Sequence, residues 1–251
     1  MAIFDTHAHY DDEAFDLDRD EVITDFGGLI VNPGCTVESS ALAVEMASRH
    51  DKMYAAVGIH PENCGDFVPA HIDALRELAK HEKVVAIGEI GLDYYWAENP
   101  PKEFQQEVFR QQLRLALELD LPVIIHDREA HGDTLAIVKE FPNLRGVFHC
   151  YSGSVEMARE LIKMGWYLGF DGPLTYKNAR KTVEVAEAIP LERIVVETDS
   201  PYLSPVPMRG KRNDSRNIPY ILGKLAEIRG ISAAEAEAIT CQNGKKLFGI
   251  D

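Results

Sequence analysis

Short apolar runs alternate with longer amphipathic stretches along the whole chain. Each run is apolar throughout instead of alternating with polar residues, a pattern typical of parallel strands buried on both faces. The pattern therefore predicts eight such strands. They fall at residues 2–4, 29–31, 54–57, 84–87, 122–125, 146–148, 166–170 and 194–196.

Amphipathic stretches between and after the runs predict helices. Thr36 and Ser154 are good N-cap residues for two of them. The predicted helices cover residues 38–50, 69–81, 102–119, 155–164, 218–229 and 232–248. Strands that alternate with helices over 251 residues predict an α/β protein with a (β/α)₈ TIM barrel, as a single domain over residues 1–251. The alternative is an open doubly wound sheet, which the lack of a glycine-rich dinucleotide motif makes less favoured.

Composition narrows the setting of the protein. The chain is 45% hydrophobic and 27% charged, as in ordinary globular proteins. No apolar run approaches the ~20 residues of a membrane span, and a signal peptide pattern is absent at the start. Four widely spaced cysteines without a Cys-x-x-Cys motif favour a reducing cytoplasm. No obligate protein partner is evident from the sequence.

Charge bears on the class of substrate. The formal net charge of -15 argues against binding of nucleic acid, because such binding relies on lysine and arginine against phosphates. Metal ions at the site would supply the missing positive charge. Nucleic acid therefore stays possible if the chain holds metal.

Metal-binding side chains follow several of the apolar runs. His7 and His9 come directly after the first run, and residues two apart on a strand point to the same face. A single histidine after a buried strand is more often a hydrogen-bonded core residue, but several at equivalent strand ends would converge on a barrel axis. The pattern predicts a metal centre with enough ligands for two divalent ions. The candidate ligands are His7, His9, Glu89, His126, His149 and Asp199.

The segments around these residues resemble the TatD family of metal-dependent deoxyribonucleases, within the amidohydrolase superfamily. The resemblance rests on residues 4–9, 58–61, 88–95, 126–130, 149–153, 197–203 and 209–213. It implies that His7, His9 and Asp199 bind one ion. It also implies that Glu89 bridges this ion to a second one, held by His126 and His149.

Two departures from the family pattern lie outside the predicted ligands. Tyr10 stands where the family usually has leucine, and Asp214-Ser215 replaces a frequent Glu-Pro pair. These departures bear on the fit of the substrate.

The family resemblance also implies an activity, namely trimming of DNA from the 3′ end. Aromatic residues just past the strand ends favour single-stranded ends, because bases stack on such rings. The resemblance implies Mg²⁺ for activity, and the ligand set also admits Zn²⁺ or Mn²⁺. Asp199 is the candidate to orient the attacking water or to take its proton. His60 is a candidate proton donor or substrate ligand, with a core hydrogen bond as the alternative.

Four residues are candidates for substrate binding. Arg128 follows the ligand His126 and is suited to a phosphate, with an ion pair to a neighbouring carboxylate as the alternative. Arg209 and Lys211 belong to the one dense basic cluster of the sequence and are candidates to contact substrate phosphates. The alternative is a solvated loop without a role in binding. Tyr94 is a candidate for base stacking, with packing of the loops as its alternative.

Two other functions are compatible with the sequence. The first is hydrolysis of another bond at the same metal centre, as in a D-aminoacyl-tRNA deacylase, an amidase or a lactonase. The second is a metal-binding scaffold without catalysis. The complete ligand set argues against the scaffold, since a scaffold needs no open metal positions.

Overall fold

The computed structural model describes residues 3–250. These residues contain eight strands and nine α-helices. In the sheet, the strand order follows the chain order from β1 to β8. The strands are β1 (Phe4–Asp5), β2 (Leu29–Pro33), β3 (Met53–Val57), β4 (Val84–Asp93), β5 (Val123–Arg128), β6 (Gly146–Phe148), β7 (Tyr167–Phe170) and β8 (Ile194–Val196). Each predicted run thus contains or overlaps a strand. Residue 2 of the first run lies outside the described residues.

The helices alternate with these strands and then close the chain. They are α1 (Arg19–Phe26), α2 (Val37–Arg49), α3 (Pro69–Leu78), α4 (Lys102–Leu119), α5 (His131–Lys139), α6 (Val155–Lys163), α7 (Arg180–Ala188), α8 (Ile218–Arg229) and α9 (Ala233–Phe248). The predicted caps are confirmed, since the hydroxyls of Thr36 and Ser154 accept hydrogen bonds from the first turns of α2 and α6. Among the described helices, none is both long enough and apolar enough to span a membrane.

By its internal contacts the chain divides into two compact units. The first unit contains the residues up to Asn32 and those from His149 onward, and the second runs from Pro33 to Phe148. A single domain over residues 1–251 stays a prediction.

In the first unit, β1 pairs with β2 and β7 pairs with β8, both in parallel. The strands of this unit are buried almost throughout, as their uniform apolar character predicts. Gly169 on β7 leaves room for a carboxylate, because a Cβ at this position would lie only 2.5 Å from Oε2 of Glu197. The absence of a side chain on β7 therefore makes space for a buried acid after β8.

In the second unit, β3, β4, β5 and β6 pair in parallel in that order. All ten residues of β4 are buried, and the strand continues past the predicted residue 87 to Asp93. Gly91 pairs with His126 of β5 and has a φ of 144°, which favours glycine. A Cβ at Gly91 would collide with the carbonyl oxygen of His126, so glycine here allows β4 to lie close beside a predicted metal ligand.

Candidate metal centre

Three predicted ligands converge in the first unit. His7 and His9 lie just after β1, and their Nε2 atoms are 3.0 Å apart. Each Nε2 atom is 3.6 Å from Oδ1 of Asp199, which lies three residues beyond β8. The predicted convergence of these three side chains is therefore present in the structure.

The spacing of these three atoms suits a shared ion. Ligand atoms ~2.0–2.1 Å from a tetrahedral ion lie ~3.3 Å from one another. The observed separations of 3.0, 3.6 and 3.6 Å bracket this value. Neutral imidazoles and a carboxylate are also the donor types that a divalent transition metal prefers.

His149 extends this group. Its ring stacks on His7, with centroids 4.1 Å apart and an interplanar angle of 8°. His7, His149 and Asp199 form one of the groups whose ligand atoms lie within 4.8 Å of one another. The family resemblance assigns His149 to the same ion as His126, and that assignment stays a prediction.

Buried acids surround this group. Glu197 accepts hydrogen bonds from the backbone N–H of Cys150 and the hydroxyl of Thr6. Asp171 follows β7, and its Oδ2 atom has no hydrogen-bond partner among the described residues. Burial and the charge of Asp199 raise the pKa of Asp171 to about 8. An excess of buried carboxyl groups around the ligands favours the binding of a cation nearby.

The ligand segments are held by the buried carboxylate of Asp5. This carboxylate accepts hydrogen bonds from the backbone N–H groups of His7 and Thr198, at 3.3 and 2.9 Å. It also accepts from the hydroxyls of Thr198 and Ser215, each at 2.6 Å. Asp5 thus fixes the loop after β1 relative to the loop after β8, and both loops carry ligands.

The second unit contains a group of three candidate ligands of its own. Glu89 and His126 lie on the neighbouring strands β4 and β5, with Oε1 of Glu89 2.9 Å from Nδ1 of His126. Nε2 of His60 is 3.5 Å from the same oxygen. The ligand atoms of His60, Glu89 and His126 all lie within 4.8 Å of one another.

His126 lies between two carboxylates, because its Nε2 is 3.0 Å from Oδ2 of Asp93. Burial alone would lower the pKa of His126, but the hydrogen bonds to Asp93 and Glu89 outweigh burial and raise it to about 10. A positive charge is therefore favourable here, and a metal ion would take the place of the proton. One of the two carboxylates would then bind the ion together with His126. The other would accept a hydrogen bond from the imidazole and so orient it, as is common around metal-bound histidines.

His60 has a different environment. Burial, and then the charge of His126, lower the pKa of His60 and keep the ring neutral at pH 7. Its Nδ1 accepts a hydrogen bond from the backbone N–H of Glu62, so the neutral ring carries its proton on Nε2. This tautomer suits donation to a bound substrate better than it suits metal binding. The role predicted for His60 as a proton donor or substrate ligand remains a prediction.

The candidate substrate-binding residues of the second unit lie close to this group. Arg128 ends β5, and its guanidinium packs 4.0 Å from the ring centroid of Tyr95. Among the described residues, Arg128 forms no salt bridge, but its positive charge acts on the carboxylate of Asp93. Binding of a phosphate and pairing with a carboxylate both stay predictions for Arg128. Tyr94 is engaged, because its hydroxyl donates to Asp133 and accepts from Gln106, both at 2.9 Å.

The basic cluster of the first unit separates into two kinds of residue. Arg212 forms two hydrogen bonds with the carboxylate of Asp18, at 2.7 and 2.8 Å, and so fastens the loop. Arg209 and Lys211 are exposed, and Arg209 lies 4.1 Å from the ring centroid of Tyr176. Arg212 is also exposed, so its ion pair with Asp18 is what distinguishes it from the two residues predicted to contact substrate.

Sequence reasoning missed three acids near the candidate ligands, namely Asp5, Asp93 and Asp171. Asp93 lies four residues after Glu89 on β4, a spacing that puts both on one face of a strand and could have revealed it. Asp5 precedes the ligand His7 by two residues, but its hydrogen bonds reach Thr198 and Ser215, about which local sequence says nothing.

Comparisons with known proteins bear on the family of the chain. The model of the family described as TatD related DNase matches residues 4–249. The Bacillus subtilis (strain 168) protein named Uncharacterized metal-dependent hydrolase YabD is 44% identical over 255 residues, covering 99% of this chain and 100% of the relative. The 3'-5' ssDNA/RNA exonuclease TatD of Klebsiella pneumoniae (strain 342) is 35% identical over 263 residues, covering 99% and 98%.

A solved structure shows the same relationship. The crystal structure of YJJV, a TatD homologue from Escherichia coli K12, matches with a TM-score of 0.92 and 31% sequence identity, covering 99% of this chain and 98% of that chain. Fold and comparisons together define a metal-dependent hydrolase on a (β/α)₈ barrel. The chain belongs to the TatD family. The fold class and the family predicted from the sequence are confirmed.

Proposed function

We propose that this protein is a 3′–5′ exodeoxyribonuclease that prefers single-stranded ends and uses two divalent ions. The observation that carries the proposal is the spacing of 3.0 to 3.6 Å among the ligand atoms of His7, His9 and Asp199, which suits a bound ion. The name of the Klebsiella relative, an exonuclease acting on single-stranded DNA and RNA, supports the choice of substrate.

The proposal assigns the ligands as the family resemblance implies. By this resemblance, His7, His9 and Asp199 would hold one ion, and His126 and His149 would hold a second one. Glu89 would be a ligand shared by the ions, a role that suits the two oxygens of its carboxylate. Mg²⁺ is the proposed ion for activity, and Mn²⁺ or Zn²⁺ also fit these donors.

The ions would supply charge neutralisation of the phosphodiester and a lower pKa of bound water. The residues of the chain do the rest. Asp199 accepts the proton of the attacking water at Oδ1 or Oδ2. His60, neutral and protonated at Nε2, donates a hydrogen bond to the phosphate or the leaving oxygen.

Positive charge from the chain completes the proposed site. Arg128 in the second unit and Arg209 and Lys211 in the first are exposed cations, suited to phosphates of the strand. The proposal places the protein in the cytoplasm, which agrees with the lack of a disulfide among the cysteines that the structure describes.

The test compares three substrates under one metal condition: a linear single strand, a blunt duplex and a covalently closed single-stranded circle. We expect the linear strand to be degraded fastest and the circle to resist, because the proposed reaction starts at an end. Labels on each end of the linear strand report the direction, and 3′-terminal nucleotides should be released first. Cleavage of the circle as fast as the linear strand would refute the exonuclease proposal.

A further inference from the structure

An exposed aromatic pair lies against a cation in the second unit, and we call Tyr95, Trp96 and Arg128 the stacking platform. The rings of Tyr95 and Trp96 are 53% and 44% exposed and meet edge to face, with centroids 4.7 Å apart. The guanidinium carbon of Arg128 lies 4.0 Å from the centroid of Tyr95 and 5.3 Å from that of Trp96. Exposed apolar side chains that lie side by side mark binding surfaces more than single exposed rings do.

The platform is tied to the candidate ligands of its own unit by strand register. Arg128 pairs with Asp93 across β4 and β5, just as His126 pairs with Gly91. The backbone N–H of Tyr94 donates to the carbonyl oxygen of Arg128 at 2.9 Å, which continues the pairing toward the platform. Because a strand rises ~3.3 Å per residue, Arg128 lies ~7 Å beyond His126 along β5.

The chemistry of the platform matches one class of ligand. An arginine that stacks by its face keeps its N–H groups directed outward, where a phosphate can bind them. Exposed aromatic rings offer faces on which any base stacks. Arg128 forms no salt bridge among the described residues, so a phosphate would not have to displace a carboxylate.

We infer that the stacking platform binds a nucleotide of single-stranded nucleic acid, with the base on Tyr95 or Trp96 and a phosphate on Arg128. This inference rests on the proposed function, because it makes the platform the subsite beside the reacting phosphodiester. It also shifts the stacking role from Tyr94, whose ring faces Lys102 at 4.2 Å, to its two exposed neighbours. Stacking of this kind tolerates any base, so the stacking platform should add affinity for the strand without sequence preference.

Tryptophan fluorescence tests the inference directly. The chain has two tryptophans, and Trp166 is only 1% exposed, so quenching by added ligand reports on Trp96. The probe is a short phosphorothioate oligothymidylate, which resists hydrolysis, added to the metal-loaded protein. We expect it to quench Trp96 and expect an abasic strand of equal length and charge to bind at least about fivefold more weakly.

Two variants make the test specific. Tyr95→Ala should weaken binding of the oligothymidylate about fivefold or more, while Tyr220→Ala, which removes a ring that is 43% exposed on α8, should not. Arg128→Lys keeps the charge but loses the flat stacked group, and should also weaken binding. Wild-type affinity in Tyr95→Ala, or equal quenching by the abasic strand, would overturn the inference.

A parallel assay separates this inference from the proposed function. Wild-type protein is given the small diester bis(p-nitrophenyl) phosphate with Mn²⁺. Quenching by the oligothymidylate without hydrolysis of any diester would support the platform and defeat the proposed nuclease activity. Hydrolysis without quenching of Trp96 would support the nuclease and overturn the platform.

Discussion

The two departures from the family pattern touch each other, and this contact makes a quantitative prediction. The hydroxyl of Tyr10 donates to Oγ of Ser215 at 2.8 Å and accepts from the backbone N–H of Ser215 at 3.1 Å. Oγ of Ser215 in turn donates to Asp5 at 2.6 Å. Burial, and then the charge of Asp5, raise the pKa of Tyr10, so its hydroxyl stays a donor. A serine at 215 supplies the partners that the tyrosine hydroxyl needs.

The magnitude follows from the number of groups left without partners. Tyr10→Phe leaves two groups of Ser215 without their hydrogen-bond partner, the backbone N–H and one lone pair of the serine hydroxyl. We expect a cost of ~1–3 kcal/mol in the free energy of unfolding. Ser215→Ala removes a donor from Asp5 and an acceptor from Tyr10, with a similar cost. Both single variants lose the hydrogen bond between Tyr10 and Ser215, whereas the double variant loses it only once. The cost of the double variant should therefore be ~1–2 kcal/mol smaller than the sum of the two single costs, and this difference is the coupling energy.

The assay is urea denaturation of the metal-free wild type, both single variants and the double variant, followed by circular dichroism and by fluorescence. Coincident transitions are required before free energies are compared. Tyr202→Phe is the matched control, because its hydroxyl bonds Asp12 at the surface and its loss should cost under ~0.5 kcal/mol. Single-variant costs that simply add in the double variant would refute the proposed coupling of Tyr10 and Ser215.

Two further predictions concern charge. Burial raises the pKa of Asp5 to about 6 from 3.8, against the hydrogen bonds from Ser215 and Thr198 that lower it. Ionisation of Asp5 therefore weakens the fold as pH rises from 3.8 through 6. Urea denaturation of the metal-free proteins gives the free energy of unfolding of the wild type and of Asp5→Asn. We expect the wild-type value, relative to that of Asp5→Asn, to fall by ~3 kcal/mol between pH 3.5 and 7. Second, neutralising Arg209 and Lys211 with glutamine should weaken binding of single-stranded DNA and flatten its dependence on salt, as measured by fluorescence anisotropy.

Each of these predictions has an internal check. A pH-independent difference between the wild type and Asp5→Asn would mean that Asp5 ionises as it does in water. The control for the basic residues replaces Arg159 and Lys163, two exposed cations of α6, with glutamine. An equal loss of DNA binding in both double variants would mean that only net charge matters.

Strand positions could be read from the sequence because each strand is apolar on both faces. The helices α1, α5 and α7 were not predicted, and none of the three has a side-chain hydrogen bond at its N-cap. These three helices are also short, at eight or nine residues, and a short helix without such a hydrogen bond leaves little in local sequence to mark where it begins.

The candidate site shows the same division between local and distant information. His7 and His9 are apparent from a two-residue spacing after a strand. The different roles of Arg212 and Arg209 are not apparent from local sequence, because Arg212 pairs with Asp18, which lies 194 residues away in the chain. Similarly, the hydroxyl of Tyr94, in the loop after β4, donates to Asp133 on α5, a contact that appears only in the folded chain.

We propose that the metal-dependent phosphodiesterase activity of this protein depends on Glu89. The most direct measurement is the rate at which metal-reconstituted wild type and Glu89→Gln release nucleotides from a linear single strand, with a chelator-treated sample of each. We expect wild-type turnover that the chelator abolishes. We also expect Glu89→Gln to lose turnover while its circular dichroism spectrum stays that of a folded protein, because a neutral amide binds cations poorly. Wild-type turnover in Glu89→Gln, with contaminating nuclease excluded, would contradict the account.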